Sequence, residues 1–109
     1  MPKGIITEYV ERVVLESSVV SVLEIPKKYS VVLYNDDYTP MGFVVEVLKR
    51  FFLLTEEKAT QVMMEIHKKG RAVCGVYTRD VAETIVELVN DCSRKNQYPL
   101  LCVLEADEA

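Results

Sequence analysis

Metal, redox and phosphate chemistry have little to work with in this chain. Its three cysteines, Cys74, Cys92 and Cys102, are an odd number and lie too far apart for a C-x-x-C ligand pair, so the spaced ligands of a zinc site are lacking. Cys74 and Cys102 fall inside apolar runs, the setting of small buried thiols in a reducing compartment. There is one histidine, no phosphate loop and no nucleophile set beside a base. Basic residues are outnumbered, 13 Lys and Arg against 17 Asp and Glu for a net charge of −4. That balance argues against the basic face a nucleic-acid binder needs to offset phosphates. No apolar run approaches the roughly 20 residues required to cross a bilayer. The first residues also lack a basic region followed by an apolar one, so no secretory leader is expected and the cytoplasm is the expected compartment.

What the chain does have is enough apolar side chain for one core. Half of its 109 residues are hydrophobic, which suits a single domain with little room for a second. The chain divides at about Pro26. An N-terminal extension is expected over residues 1–26, where β-branched residues mix with Glu8, Glu11, Glu16 and Glu24 before Pro26-Lys27-Lys28. Val10, Val13 and Val14 have helical spacing, but Ser17-Ser18 and the valines around Ser21 interrupt it. A short helix, an added strand and a disordered arm all fit that pattern.

Residues 27–109 form the expected domain. Tyr29 to Tyr34 is short and rich in β-formers, which predicts a strand. Thr39 offers an N-cap oxygen and Pro40 suits the first helical position, where its missing N–H costs nothing. Val44, Val47, Leu48 and Phe51 follow at the i, i+3, i+4, i+7 spacing of a core-facing helix. Thr55 predicts a second N-cap, with Glu56 and Glu57 where the helix dipole favours anions. Ala59, Val62, Met63 and Ile66 make that helix's stripe, and Gly70 is a natural stop after Lys68-Lys69. Ala72 to Tyr77 predicts a second strand. A third helix from the Thr78 cap carries Val81, Ile85, Leu88, Val89 and Cys92 on one face, and Pro99 precedes a last strand, Leu100 to Leu104. The order β-α-α-β-α-β predicts an α+β fold, a three-stranded sheet covered on one face by three helices.

The junction between the first strand and the first helix concentrates the chemistry. Asn35, Asp36 and Asp37 place an amide and two carboxylates where side-chain oxygens can converge. Asn and Asp are also common in turns simply because they bond their own backbone. His67, eight residues after Ala59 and four after Met63, continues the apolar stripe of the second helix. On that spacing it reads first as a core histidine bonded to a backbone carbonyl or to Asn35. Acceptors gathered beside an apolar wall otherwise suit one ligand type, a cation carrying an apolar side chain. An α-ammonium offers three donors, and Asn35, Asp36 and neutral His67 all supply acceptors.

The run Asn35-Asp36-Asp37-Tyr38-Thr39-Pro40-Met41, the segment Met63 to His67, Cys74-Gly75-Val76, Val81-Ala82-Glu83-Thr84 and Pro99-Leu100-Leu101-Cys102 closely resemble the ClpS family of N-end-rule adaptor proteins. The similarity covers roughly Lys28 to Glu105, with the blocks in the same order. It implies a bacterial, cytoplasmic, monomeric adaptor, neither an enzyme nor a cofactor protein. Such an adaptor holds proteins that begin with Leu, Phe, Tyr or Trp and passes them to the N-terminal domain of a ClpA-type AAA+ unfoldase.

Residue by residue, the resemblance puts Asn35, Asp36 and His67 around the substrate's α-amino group. Thr39, Met41, Val44, Met63, Ile66 and Leu100 would line the pocket for its first side chain, with Asp37 at the rim. Asp80, Glu83 and Ile85 would lie on the surface that docks the unfoldase. Ile85 stands where family members often carry a lysine, Ile66 where valine is common, and Tyr98 in place of a common histidine. By position, the N-terminal extension would correspond to the family's delivery arm. Two readings compete with this one: an enzyme pairing His67 with Asp36 or Asp37, and a structural interaction module on the same fold, like the C-terminal domain of the ribosomal stalk protein. The first lacks a nucleophile and the second gives no reason for acceptors around an apolar pocket.

Overall fold

The computed structural model describes residues 26–107. Apart from Pro26, the expected N-terminal extension lies outside the described residues. Six elements follow in the predicted order: β1 (Lys28–Tyr34), α1 (Met41–Phe51), α2 (Glu56–Lys69), β2 (Arg71–Thr78), α3 (Arg79–Lys95) and β3 (Leu101–Ala106). The strands form one antiparallel sheet in the order β2-β1-β3.

The central strand is the most buried one, and Val31, Val32 and Leu33 are wholly buried. Successive strand residues face opposite sides. Val31 and Leu33 join the core beneath the helices, where Ala72 and Cys102 flank Leu33. Val44, Val47 and Leu48 of α1 and Ala59, Met63 and Ile66 of α2 complete that core, as their period predicts. Val32 faces away from the helices and is covered differently. Arg71 is aligned with Tyr34 and Glu105 with Ser30, on opposite flanks of β1. Their side chains meet across it, Arg71 Nη2 donating to Glu105 Oε1 at 2.6 Å and the Tyr34 hydroxyl donating to Glu105 Oε2 at 3.0 Å. An ion pair this exposed adds little stability by itself.

Several local details depart from expectation. α1 starts at Met41, with Pro40 as an extended N-cap and no side-chain cap bond. Thr39 lies one residue before the N-cap and does not cap the helix; its hydroxyl instead donates to the Asp36 carboxylate. Phe51 is half-buried, and Phe52, just past the helix end, turns inward instead. The α1 C-terminus closes with Leu54 N–H on the Leu48 carbonyl at 3.3 Å, which puts Leu53 in the left-handed region at φ 56. Of the predicted α3 stripe, Val89 is buried and Ile85 and Cys92 are half-buried, while Val81 and Leu88 stay exposed and Ala82 and Ser93 are buried in addition. Buried Ser93 is satisfied within its own helix, its hydroxyl donating to the Val89 carbonyl at 3.0 Å. Thr78 occupies the N-cap position of α3 without a side-chain bond. The last strand begins at Leu101, one residue later than predicted.

Other signals appear where the sequence predicts them. Thr55 Oγ accepts the Lys58 N–H at 3.2 Å, and Gly70 ends α2 at φ 89. In β2, Val31 pairs with Gly75 and Val32 with Val73, so Cys74 is the extra residue of a bulge. A Cβ at position 75 would collide with the Tyr77 ring, which accounts for the glycine beside the bulge.

Candidate functional site

Three chain segments converge at the Tyr34 end of the sheet: the turn over residues 35–40, the start of α1 and the end of α2. The left-handed turn at Gly70 aims its carbonyl at Asn35, whose N–H donates to it at 2.9 Å. That bond continues the β1–β2 pairing into the turn, and Asn35 and His67 line one cavity of about 210 Å³. Asn35, Asp36, Asp37 and His67 give its lining an acceptor-rich side. Thr39, Met41, Val44, Met63 and Ile66 give the remainder, and no lysine or arginine among the described residues lines it. Nine of the ten residues assigned to amine, pocket or rim are thus gathered in one place.

Leu100 is the exception. It is buried in the core and lines a second hollow, with Tyr98 and Ser93, instead of this cavity. Pro99 and the late start of β3 set its side chain against the base of α3.

His67 also corrects an expectation. It is exposed rather than buried, so the core-histidine reading fails. Ala59, Met63 and Ile66 hold the centre of the α2 stripe, and the position after Ile66 lies about 100° further round, beyond the edge of the core. The imidazole is left beside the cavity.

Asp36 is held by its own turn. Oδ1 accepts the N–H groups of Tyr38 and Thr39 at 2.8 and 2.7 Å, and Oδ2 accepts the Thr39 hydroxyl at 2.7 Å. Burial pushes its pKa up, but the Thr39 hydroxyl and the two backbone donors outweigh that and hold the carboxyl below its usual value. The residue thus makes the turn bonds expected of an Asp and also lines the cavity. A carboxylate has about four acceptor sites, and three are occupied here.

The residues assigned to unfoldase docking lie on α3, away from the cavity. α3 starts beside Thr78, which is aligned with Lys28 at the far end of β1. Asp80 and Glu83 are exposed, Glu83 accepting from Arg79 Nε at 2.8 Å, while Ile85 is half-buried against the core. Among the described residues, no cluster of three or more His, Cys, Asp or Glu could hold a metal ion. No described helix is long and apolar enough to cross a membrane. Sequence reasoning missed the Gly70 carbonyl as a tether. Glycine there signals the helix stop, but its bond to a residue in another element has no local signature.

A sequence model of the family described as ATP-dependent Clp protease adaptor protein ClpS matches residues 24–103. The chain belongs to the ClpS family. ATP-dependent Clp protease adapter proteins ClpS from two strains of Xanthomonas campestris pv. campestris are each 53% identical to it over 105 residues, covering 96% of this chain and 98% of theirs. Among solved structures, Agrobacterium tumefaciens ClpS2 bound to L-phenylalaninamide is 42% identical with a TM-score of 0.74. That match covers 76% of this chain and all of the other. As a ClpS protein, the chain is an adaptor of the Clp protease, and the blocks that carried the resemblance lie in the matched part of the sequence.

Proposed function

We propose that this ClpS protein captures polypeptides through a free α-amino group followed by a bulky hydrophobic first side chain, Leu, Phe, Tyr or Trp, and delivers them to the Clp AAA+ unfoldase. The observation that carries the reading is the composition of the cavity among the described residues: acceptors on one side, apolar side chains on the other, and no lysine or arginine. Asn35, Asp36 and His67 meet the three N–H bonds of the ammonium. Met41, Val44, Met63 and Ile66 enclose the side chain, with Asp37 at the rim. A cavity of about 150 Å³ is known to hold benzene, so the volume here accommodates a phenyl ring or an isobutyl group. The ligand of the Agrobacterium relative, L-phenylalaninamide, has that chemistry, a free amine and a benzyl side chain.

Hydrogen bonds to a charged group contribute roughly 1.5–3 kcal/mol each, and burying a Leu- or Phe-sized side chain adds on the order of 1.5–3 kcal/mol. After the cost of immobilising the peptide, affinity in the micromolar range or tighter follows. Delivery is assigned to surfaces away from the cavity. Asp80 and Glu83 at the start of α3 face the N-terminal domain of a ClpA-type unfoldase, and the N-terminal extension acts as the delivery arm. Ile85, half-buried and uncharged, contributes less there than the family's lysine would.

Matched Phe-initiated peptides, one with a free N-terminus and one acetylated, test the reading by isothermal titration. Acetylation removes the charge and places a methyl group among the acceptors, so the free peptide binds and the acetylated one does not. Equal affinity for the two would rule out amine capture.

A further inference from the structure

Thr39 lines the cavity, and a threonine in a pocket wall is ordinarily credited with its methyl group. Its hydroxyl has a more specific role here. The two backbone N–H groups of Tyr38 and Thr39 both fall on Oδ1 of Asp36, at 2.8 and 2.7 Å. Bonds to one oxygen leave a carboxylate free to pivot about that oxygen. The Thr39 hydroxyl, at 2.7 Å from Oδ2, is the bond that stops the pivot. It also fills one of the two acceptor sites on Oδ2.

We propose that Thr39 is a positioning residue for amine capture: through its hydroxyl it fixes the plane of the Asp36 carboxylate and leaves a single acceptor site, on Oδ2, for the incoming ammonium. This rests on the function proposed above. With Oδ1 saturated, the ammonium finds one acceptor each on Asn35, Asp36 and His67, three sites for three donors. Preorganising the carboxylate before the ligand arrives lowers the ordering cost of binding. The same bond stabilises the ionised form, since a hydroxyl donates to a carboxylate more strongly than to a carboxylic acid.

Other charged groups face this site. Asp37 flanks Asp36 in the turn, and the last turn of α2 brings His67 to the cavity and carries Lys68 and Lys69, the latter paired with Glu65 at 3.6 Å. α1 has no acidic residue in its first turn, and Arg71 at the start of β2 is engaged by Glu105. None of these side chains is altered by substitution at Thr39.

Two substitutions divide the side chain. Thr39→Val keeps the apolar wall and removes the hydroxyl, whereas Thr39→Ser keeps the hydroxyl and removes the methyl. Affinity for a free-amine Phe peptide is measured from pH 3 to pH 8, alongside ¹³Cγ titration of Asp36 by NMR without peptide. Thr39→Val weakens binding at pH 7 by about tenfold, from misalignment of one charge-assisted bond. It also moves the acid limb of binding and the Asp36 titration to higher pH. Thr39→Ser keeps both at their wild-type positions, whatever it loses in affinity from the smaller wall. If the Val variant lowers affinity without moving the acid limb, Thr39 is wall only and the proposal fails. A shifted limb or shifted Asp36 titration in the Ser variant overturns it equally, and that measurement does not depend on the Val variant folding. If the wild type binds no free-amine peptide, amine capture fails, while the NMR titrations still decide whether Thr39 governs Asp36.

Discussion

Gly70→Ala separates the two roles of the left-handed turn that ends α2. The residue sits at φ 89 and ψ −17, a region that costs an L-residue roughly 1–2 kcal/mol because its Cβ approaches the local carbonyl. Nothing outside the immediate backbone lies within 4 Å of a Cβ built there, so no packing clash adds to the cost. The reduced freedom of the unfolded chain returns only a few tenths to about 1 kcal/mol, less than the strain. A net loss of about 1 kcal/mol lowers the melting temperature of a domain this size by roughly 4–8 °C, readable by circular dichroism. The Gly70 carbonyl also accepts the Asn35 N–H at 2.9 Å, so relaxing the turn shifts Asn35 relative to His67 and weakens binding of a free-amine Phe peptide. A D-alanine at the same position, introduced by chemical ligation at Cys74, is the control. It adopts positive φ without strain and melts at or above the wild-type temperature. An L-alanine variant that melts like the wild type refutes the strain argument. If the D-alanine protein melts as low as the L-alanine one, the added methyl and not its handedness is responsible.

Leu53→Gly runs the same argument in reverse. Leu53 holds φ 56 and is 85% exposed, so glycine relieves the strain, loses almost no packing and stabilises the domain by up to about 1 kcal/mol; an unchanged or lower melting temperature contradicts this. Cys74 and Cys102 are pushed up to about 12, in each case chiefly by burial. At pH 8 each is then only about one part in ten thousand thiolate, so iodoacetamide leaves both unmodified in the folded protein and labels both in denaturant. Rapid labelling of either in the native state, read by mass spectrometry of peptides, would contradict their burial.

Much of this molecule is legible one segment at a time. Thr55 caps α2 and Gly70 ends it because a cap bond and a left-handed turn involve neighbours within a few residues. The stripes of α1 and α2 are likewise readable, since a helix that covers a sheet with large side chains shows its period plainly. α3 is read only in part. Val89 is buried and Ile85 packs on the core as their spacing predicts, but hydrophobicity also points to Val81 and Leu88, which remain in solvent, and misses Ala82 and Ser93, which are buried. His67 is misread because a stripe defined by spacing has no marked edge, and only the extent of the core decides where burial stops.

The identities and order of the elements, the turn at Asn35-Asp36 and the acceptor-plus-apolar character of the site were determined by the sequence itself, through short-range bonds and periodic burial. Tertiary structure decided which of those groups meet. The Asn35–Gly70 bond, next after the Tyr34–Arg71 pairing, joins residues far apart in the chain beside the cavity. Tyr34, Arg71 and Glu105, one from each strand, meet over Val32 only because β1 lies between its two neighbours. Leu100 is carried into a different hollow by the turn after α3. A local rule sees the partners a residue can reach along its own segment. Contacts between segments are set by how closely and at what register the segments pack, and that is a property of the whole core.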